Sequence, residues 1–501
     1  MRATTIELMP DIPATIAEAA AALRSGALTS TELTTACLAA ADRIDPMIGC
    51  FLARFDERAL EAAGAADAAL RSGADVGPLH GIPIGIKDVI ATKDGPTTAN
   101  SLVLDPAWGA RGDAPVVARL RAAGAVIVGK LTTMEYACGM PDPDKPFPIP
   151  RNPWNLDCWA GGSSSGTANG VAAGLILGGL GTDTAGSVRC PASFCGISGI
   201  RGTFGRVPVS GCVPVGFSLD TIGPMARSAF DCALMLEVIA GRHHSDQYSS
   251  DVPVPRYTAG LDSDLTGMRL AVDRVHTADR APNPSVPAAL DEALRNLVAA
   301  GAVIEEIALP LYDELTVAMM ATVYAEAFTY HRKDLIARWH EYGKPTRIFA
   351  AHGALVTAAD FVQAQRVRAA GVVAMMEALA GFDAVLTPTA LTSAPAVQGT
   401  NLDDVLGSLC TQVWPAVGFP ALSVPMGFDT KGLPLGLQVV APPYHEHSVF
   451  RVGAALQART NWHVRIPPVS APIVSSAGRR SGGPEGTATQ GAGCRGQMLK
   501  P

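Results

Sequence analysis

Lysine, aromatic residues and charge are all scarce in this chain of 501 residues. Only 17% of the residues are charged and 6% are aromatic, and lysine supplies 8 of the 39 basic residues. The net charge is −7, and Lys and Arg never form a run longer than two, so a surface that follows nucleic-acid phosphates is not expected. Because lysine is rare, any lysine inside an apolar run is a candidate functional group.

Several other signals are missing as well. The ten cysteines form no CxxC pair and none has zinc spacing with histidine, so neither a disulfide framework nor a metal site is expected. The N-terminal residues lack the basic and apolar regions of a signal peptide, and no apolar stretch reaches the length of a membrane helix. We therefore expect a cytoplasmic protein that does not bind membranes.

The hydrophobic pattern indicates an α/β protein. Apolar spacing predicts helices over residues 12–72, and alternation of apolar residues predicts a strand over 82–86. A helix starting at 113–115 and ending at Gly124 leads into a short strand at 125–128, which is a helix–strand unit of an α/β fold. The same reasoning predicts further helices at 285–300, 316–380 and 446–458, and further strands at 383–386, 421–425 and 435–440.

The most unusual segment is rich in glycine and serine. It comprises GGSSSGT at 161–167 and GTDTAGSVR at 181–189. Small residues at a helix N-terminus let the backbone approach a ligand closely, but the first motif lacks the lysine of a phosphate-binding loop. Residues 124–130 do match G-x4-G-K, yet their inner residues are strand-like and Leu131 replaces the magnesium-binding hydroxyl. Acyl transfer with Ser187 as the nucleophile is the interpretation that remains.

A nucleophilic serine needs a proton acceptor, and the glycine- and serine-rich segment contains no histidine. The nearest one in a motif region is His80. Lys87 is the better candidate, because it ends an apolar strand where burial disfavours the ammonium form and frees the amine to act as a base. Two other interpretations of Lys87 stay open: a side chain that reaches solvent, or an ion pair with Asp88.

The motifs occur in an order that resembles one known family. They are GIPIGIKD (81–88), GGSSSGTANGVAAG (161–174), GTDTAGSVRCPASFCGISGIRGTFGRV (181–207), SLDTIGPMAR (218–227), LTPT (386–389), GFPALSVPMGF (418–428) and GLPLGLQVV (432–440). Over roughly residues 10–460 the chain resembles the amidase signature family. The resemblance implies a three-layer α/β/α sandwich around a large mixed β-sheet.

The resemblance also implies a Ser–cisSer–Lys triad that needs no metal and no cofactor. By position, Lys87 is the base, Ser163 is the bridging serine with a cis peptide, and Ser187 is the nucleophile. The oxyanion hole would consist of the backbone N–H groups of Thr184, Ala185, Gly186 and Ser187. The resemblance further suggests supporting roles near the nucleophile for Ser164, Asp183 and Arg189, although a structural ion pair is the favoured interpretation of Asp183 and Arg189.

The chain departs from the family motifs at two positions, where Ser165 and Ala185 replace glycines. Neither change touches the triad. Ala185 is tolerable only if its φ is negative, because a Cβ is disfavoured in the left-handed region.

The resemblance allows two functions. We expect a free-standing amidase, a monomer or homodimer without a nucleic-acid partner, that hydrolyses small apolar amides or anilides, with carbamates and esters cleaved as side activities. Aromatic residues would line its pocket: Phe147, Trp154, Tyr324, Phe328, Tyr330, Trp339 and Trp414. The alternative is the glutamine-hydrolysing component of a tRNA-dependent amidotransferase. Ser408 argues against it, because it stands where that component carries an acidic residue.

The expected organisation is one large catalytic domain with additions at its ends. Residues 1–72 form an N-terminal helical segment packed on the core, and residues 73–468 form the amidase signature domain. Within that domain, 241–380 is a variable, substrate-shaping helical part. Residues 469–501 lack aromatic and most aliphatic side chains and are expected to be disordered.

Overall fold

A computed structural model describes residues 12–74 and 76–471. The described residues up to Ser470 form one compact unit. Apart from residues 469–471, the expected C-terminal tail lies outside the described residues, and the finer domain boundaries stay predictions. No helix in the described ranges is long and apolar enough to cross a bilayer.

The chain folds as a mixed α/β sandwich, which confirms the expected fold class. Eleven strands of the described part form one sheet in the order β1-β3-β2-β6-β8-β7-β12-β13-β11-β9-β10, and β4 pairs with β5 separately. The strands are β1 (Phe51–Arg54), β2 (Pro83–Lys87), β3 (Val126–Leu131), β4 (Arg151–Asn152), β5 (Asn155–Trp159), β6 (Gly178–Asp183), β7 (Ser198–Arg201), β8 (Thr221–Ala226), β9 (Arg269–Val272), β10 (Val303–Glu306), β11 (Ala384–Pro388), β12 (Ala421–Phe428) and β13 (Pro434–Val440).

Fourteen helices accompany this sheet in the described residues. They are α1 (Ile16–Ser25), α2 (Ser30–Ile48), α3 (Asp56–Arg71), α4 (Pro115–Ala122), α5 (Ser165–Ala173), α6 (Arg189–Cys195), α7 (Ala229–Ile239), α8 (Ser285–Ala299), α9 (Tyr312–Arg338), α10 (Lys344–Ala351), α11 (Ala358–Ala378), α12 (Leu402–Gly407), α13 (Val413–Val417) and α14 (Glu446–Gln457). Threonines cap the first two helices, because Thr15 and Thr29 each complete a capping box with the glutamate three residues later.

The sheet centre explains how distant motifs meet. Strand β2 runs parallel to β6, with Ile86 opposite Leu180, so Lys87 at the end of β2 lies beside the second half of β6, which leads into the loop that carries Ser187. Strand β8 continues the sheet antiparallel to β6 on its other side. Residues about 100 positions apart in the chain therefore come together on these two neighbouring central strands.

One expectation about the elements is wrong. Residues 12–72 are not all helical, because Phe51–Arg54 forms edge strand β1, antiparallel to β3. The segment 126–131 is strand β3, as its apolar sequence predicts, and its Lys130 is buried in an ion pair rather than exposed to a phosphate.

Candidate active site

Lys87 is the last residue of β2, and its side chain is fully buried. Its Nζ donates to three hydroxyl oxygens: Ser163 Oγ at 2.7 Å, Thr182 Oγ1 at 2.7 Å and Ser164 Oγ at 3.0 Å. Burial lowers the pKa of the Lys87 amine to about 7, although nearby acidic groups act in the opposite direction. A lysine with this pKa is available as a neutral base near neutral pH.

Neither alternative interpretation of Lys87 fits the structure. The side chain does not reach solvent, and Asp88 pairs with a different lysine, Lys130, at 2.7 Å. That neighbouring pair is itself almost completely buried. The negative charge of Asp88 is thus matched by Lys130, and Lys87 is left among hydroxyl groups.

Ser163 lies in the turn before α5, and the Gly162–Ser163 peptide is cis, the geometry that the resemblance implies for this position. Its carbonyl accepts from Met134 N at 3.3 Å. The next residue, Ser164, donates its backbone N–H to the Ser187 carbonyl at 3.1 Å. The turn therefore connects the buried lysine to the segment that carries Ser187.

Ser187 lies between β6 and α6, in a half-buried position that opens on a cavity. Ser163, Thr184, Ala185 and Gly186 line the same cavity. Ala185 is not among the residues with positive φ, whereas Gly186 has φ 134°, so the glycine alone takes the conformation that a side chain disfavours. The substitution of Ala185 for glycine is thus compatible with this loop.

Asp183 and Arg189 form a buried ion pair on the far side of the loop. Arg189 donates to both carboxylate oxygens of Asp183, at 2.9 and 2.8 Å. Burial alone would raise the pKa of Asp183, but Arg189 and Arg201 together lower it below its ordinary value. Neither member of the pair lines the cavity, so their contacts support the shape of the loop that contains Ser187.

The cavity beside Ser187 is mainly apolar, and none of its lining residues is charged. Its wall away from the serines comprises Met134, Ala137, Cys138, Gly139, Trp159, Cys190, Val215, Val323, Phe349, Leu402, Val405, Leu406 and Leu409. From the sequence, seven aromatic side chains are expected to line this cavity. That expectation is wrong, because none of the seven is among the lining residues. Trp154, for example, donates to the Cys195 carbonyl and packs on Phe428, and Trp414 is fully buried.

Three polar residues at this site are not identified by the sequence patterns. Thr182 accepts from Lys87, Asp220 accepts a hydrogen bond from the hydroxyl of Thr184, and Thr411 donates to the Ala185 carbonyl at 2.6 Å. Thr182 and Asp220 lie inside motifs that stand out for other residues. No local signal identifies Thr411, which is 226 positions away from its partner.

An α/β sandwich with a buried lysine bonded to two adjacent serines agrees with a class of enzymes that hydrolyse C–N bonds, and the family comparison supports this class. The model of the family described as Amidase matches residues 32–450. The chain belongs to the amidase family.

The chain is similar to curated relatives along most of its length. It is 38% identical to the A subunit of the glutamyl-tRNA(Gln) amidotransferase of Chloroflexus aggregans, over 91% of this chain and 98% of that one. It is 37% identical to the protein of the same name from Geobacter metallireducens, over 88% of this chain and 96% of that one.

Solved structures agree with this family. A structure described as an unexpected vestigial protein complex that reveals the evolutionary origins of an s-triazine catabolic enzyme has a TM-score of 0.83 at 31% identity, and covers 89% of this chain and 98% of its own. The native peptide amidase of Stenotrophomonas maltophilia has a TM-score of 0.80 at 29% identity, and covers 93% and 100%. The A subunit of the Thermotoga maritima glutamyl-tRNA(Gln) amidotransferase has a TM-score of 0.78 at 30% identity, and also covers 93% and 100%.

These relatives overturn two expectations. A free-standing hydrolase of small apolar amides or anilides is wrong as the main interpretation, because the curated relatives are named as subunits of an amidotransferase. The expectation that the chain acts alone on a small-molecule amide, as a monomer or homodimer without a nucleic-acid partner, is wrong for the same reason. Similarity along nine-tenths of the chain outweighs the single serine at position 408.

Proposed function

We propose that this chain is the amidase component of a glutamyl-tRNA(Gln) amidotransferase. In this role it hydrolyses the side-chain amide of glutamine, and the released ammonia is used on glutamyl-tRNA held by partner subunits. The observation that carries the proposal is the similarity to the A subunits of such enzymes, which runs at 36–39% identity over about 90% of this chain. The geometry around Lys87 and Ser187 supplies the chemistry.

The proposed reaction begins with proton transfer along the side chains. Neutral Lys87 takes the proton of Ser163, and Ser163 takes the proton of Ser187, whose oxygen attacks the amide carbon. The carbonyl oxygen gains negative charge, which the backbone N–H groups of residues 184–187 stabilise. The C–N bond then breaks, the relay returns a proton to the leaving nitrogen, and ammonia departs.

The second half of the reaction regenerates the enzyme. Water attacks the ester that joins Ser187 to the glutamyl group, and Lys87 accepts a proton through Ser163. Glutamate leaves and Ser187 regains its proton. Each turnover consumes one water molecule and one glutamine, and yields glutamate and ammonia.

The apolar cavity places a requirement on this substrate. Glutamine carries an ammonium and a carboxylate group, and burying either without a partner is costly. Because no lining residue of the cavity is charged, the proposal requires these groups to be bound at its mouth or by a partner subunit. We therefore expect glutamine hydrolysis to be weak with the isolated chain and stronger in the assembled enzyme.

A reconstitution experiment tests the proposal. The chain replaces the amidase component of a related amidotransferase, such as that of Chloroflexus aggregans, and is combined with the remaining subunits of that enzyme. The expected result is glutamine-dependent conversion of Glu-tRNA(Gln) to Gln-tRNA(Gln), measured by acid-gel separation or mass spectrometry. Ser187→Ala in the same assembly should abolish the conversion with glutamine but not with added ammonia.

The ammonia control separates catalysis from assembly. If ammonia supports conversion and glutamine does not, the chain assembles but lacks glutaminase activity, and the proposed function is wrong. Faster hydrolysis of simple amides than of glutamine by the assembled enzyme would also contradict it.

A further inference from the structure

Thr411 packs directly against the loop that precedes Ser187. Its side chain is fully buried, and its Oγ1 donates to the Ala185 carbonyl at 2.6 Å. A Cβ added to Gly186 would lie 2.2 Å from the same Oγ1, so the hydroxyl also touches the glycine backbone. One threonine hydroxyl thus contacts two consecutive residues of the loop.

Buried side chains also bind the backbone at Thr411. Its carbonyl accepts from Arg189 Nη1 at 3.0 Å, and the same nitrogen donates to Gln438 Oε1 at 2.7 Å. Gln438 Nε2 in turn donates to the carbonyl of Cys410 at 2.9 Å. The backbone on both sides of the Cys410–Thr411 peptide is therefore fixed by buried side chains.

The contact with Ala185 controls the direction of a neighbouring N–H group. The Ala185 carbonyl and the Gly186 N–H belong to one planar peptide, in which the two groups point in opposite directions. Fixing the carbonyl oxygen therefore fixes the N–H. Gly186 lacks a side chain and has φ 134°, so little else in the loop restrains the rotation of this peptide.

We propose that Thr411 is a positioning residue for acyl transfer. Its hydroxyl holds the Ala185–Gly186 peptide so that the Gly186 N–H points towards the carbonyl oxygen of the substrate. This inference rests on the oxyanion role that the proposed function gives to residues 184–187. Leu409, two residues earlier, lines the cavity, so the segment that holds this peptide also forms part of the substrate wall.

Thr411→Val tests the proposal, because valine keeps the shape of threonine and loses the hydroxyl. Since removing a whole oxyanion donor costs about 100- to 1000-fold in kcat, misdirecting one should lower kcat by about 10- to 100-fold. KM should change by less than about threefold, because the N–H acts mainly in the transition state. Thr411→Ser, which restores the hydroxyl, should recover most of the kcat.

Thr389→Val is the matched control. Thr389 is also fully buried, its Oγ1 pairs with Ser423 Oγ at 2.8 Å, and its carbonyl accepts from Cys410 N at 3.0 Å. This variant loses one buried hydrogen bond beside the same segment without touching the loop. We expect its kcat to stay within about threefold of the wild-type value, and both valine variants to have similar melting temperatures.

The assays use glutamine and p-nitrophenyl acetate with the full chain assembled with the remaining subunits of the related amidotransferase, and Ser187→Ala in the same assembly gives the background rate. The ester requires the same nucleophile and oxyanion donors but not the binding of glutamine. If the wild type cleaves only the ester and Thr411→Val slows it as expected, the proposed function fails and the role of Thr411 stands. The inference is overturned if Thr411→Val leaves kcat unchanged or if Thr389→Val lowers kcat as much as Thr411→Val does. It is also overturned if Thr411→Ser does not recover kcat. Absence of Ser187-dependent turnover with both substrates overturns both proposals.

Discussion

At the scale of single residues, Lys87 makes the clearest prediction, because its ammonium group has only hydroxyl oxygens as hydrogen-bond partners in the described part of the chain. Burial lowers its pKa to about 7. The neutral amine is the active form in the proposed relay, so kcat/KM should rise as the pH increases through about 7 and level off above it. The measurement is a pH profile of kcat/KM under conditions in which the protein stays folded.

Lys87→Arg supplies the control for this profile. A guanidinium keeps its proton throughout the accessible pH range, so the variant should have no turnover above that of Ser187→Ala. A wild-type profile that is flat between about pH 6 and 9, or an active arginine variant, would remove Lys87 from the role of base.

Thr182 makes a second prediction at this scale. Its Oγ1 accepts from Lys87 Nζ at 2.7 Å and so stabilises the charged form of the lysine. Thr182→Val should lower the pKa of Lys87 and move the inflection of the kcat/KM profile to lower pH by roughly one unit. Thr182→Ser keeps the acceptor and should leave the inflection where it is. A shift to higher pH in the valine variant would contradict this account.

The sequence identifies only part of this cluster. Lys87 can be selected because lysine is rare and this one ends an apolar strand, and Ser187 because it follows a run of small residues. Thr411 cannot be selected, since a hydrogen bond between residues 226 positions apart depends on how the strands are ordered in the sheet. The same limit applies to the cavity wall, where Leu402 and Val405 stand in place of the aromatic residues that were expected.

At the scale of elements, the attachment of α1 to α7 depends on one buried carboxylate. Asp231, in the first turn of α7, accepts from the first two N–H groups of α1, those of Ile16 at 3.1 Å and Ala17 at 3.0 Å. Helix N-termini leave these groups without partners inside the helix. Burial raises the pKa of Asp231 to about 6, even though its hydrogen bonds act in the opposite direction.

Asp231→Ala should therefore destabilise the fold by about 1–3 kcal/mol, because buried donors lose their acceptor. Asp231→Asn keeps one acceptor oxygen and removes a buried charge, so its loss should be smaller. A thermal-shift assay checks this, because Asp231→Ala should have a lower melting temperature than Asp231→Asn. Asp360→Ala is the control, since the exposed Asp360 carboxylate completes the capping box of α11 by accepting from Thr357 N at 3.0 Å. If Asp360→Ala lowers the melting temperature as much as Asp231→Ala does, this account of Asp231 is contradicted.

Elements with regular patterns are predictable, and the glycine-rich strands are not. The sequence predicts β11, β12 and β13 within a few residues, because their apolar runs are bounded by turn residues. Strands β6 (GGLGTD) and β8 (TIGPMA) contain glycine and proline, which sequence patterns associate with turns. Both are fully buried at the centre of the sheet, where the close approach of neighbouring strands outweighs the local preference of glycine and proline for turns.

At the scale of the whole molecule, position 408 shows how a local feature can mislead. The serine there suggests that glutamine could not be held, yet the chain matches relatives named as amidotransferase subunits over about nine-tenths of its length. In the structure, Ser408 does not line the cavity, and its hydroxyl donates to the Val405 carbonyl at 2.8 Å. A missing carboxylate at this point therefore says little about groups bound elsewhere around the cavity mouth.

The hydrogen bond from Lys87 to Thr182 of β6 depends on how the central strands of the sheet pack, and Gly223 tests that packing. Gly223 lies in β8, opposite Gly181 of β6, and a Cβ at this position would be 1.9 Å from the carbonyl oxygen of Ile200 in β7. Because this neighbour is backbone, Gly223→Ala can be accommodated only if β7 moves away from β8. The sheet would then be disturbed one strand away from the loop that carries Ser187, so we expect a melting temperature lowered by several degrees or loss of soluble protein.

Gly64→Ala makes the same chemical change where the structure leaves room. Gly64 lies within α3, and a Cβ there meets no heavy atom within 4 Å. Alanine favours helix over glycine by up to about 1 kcal/mol, so this variant should melt at the wild-type temperature or slightly above it. If Gly223→Ala lowers the melting temperature and Gly64→Ala does not, the effect at Gly223 comes from strand packing and not from the replacement of a glycine in general. A Gly223→Ala protein as stable as the wild type would mean that β7 and β8 can separate without loss of stability, and would contradict this account of their packing.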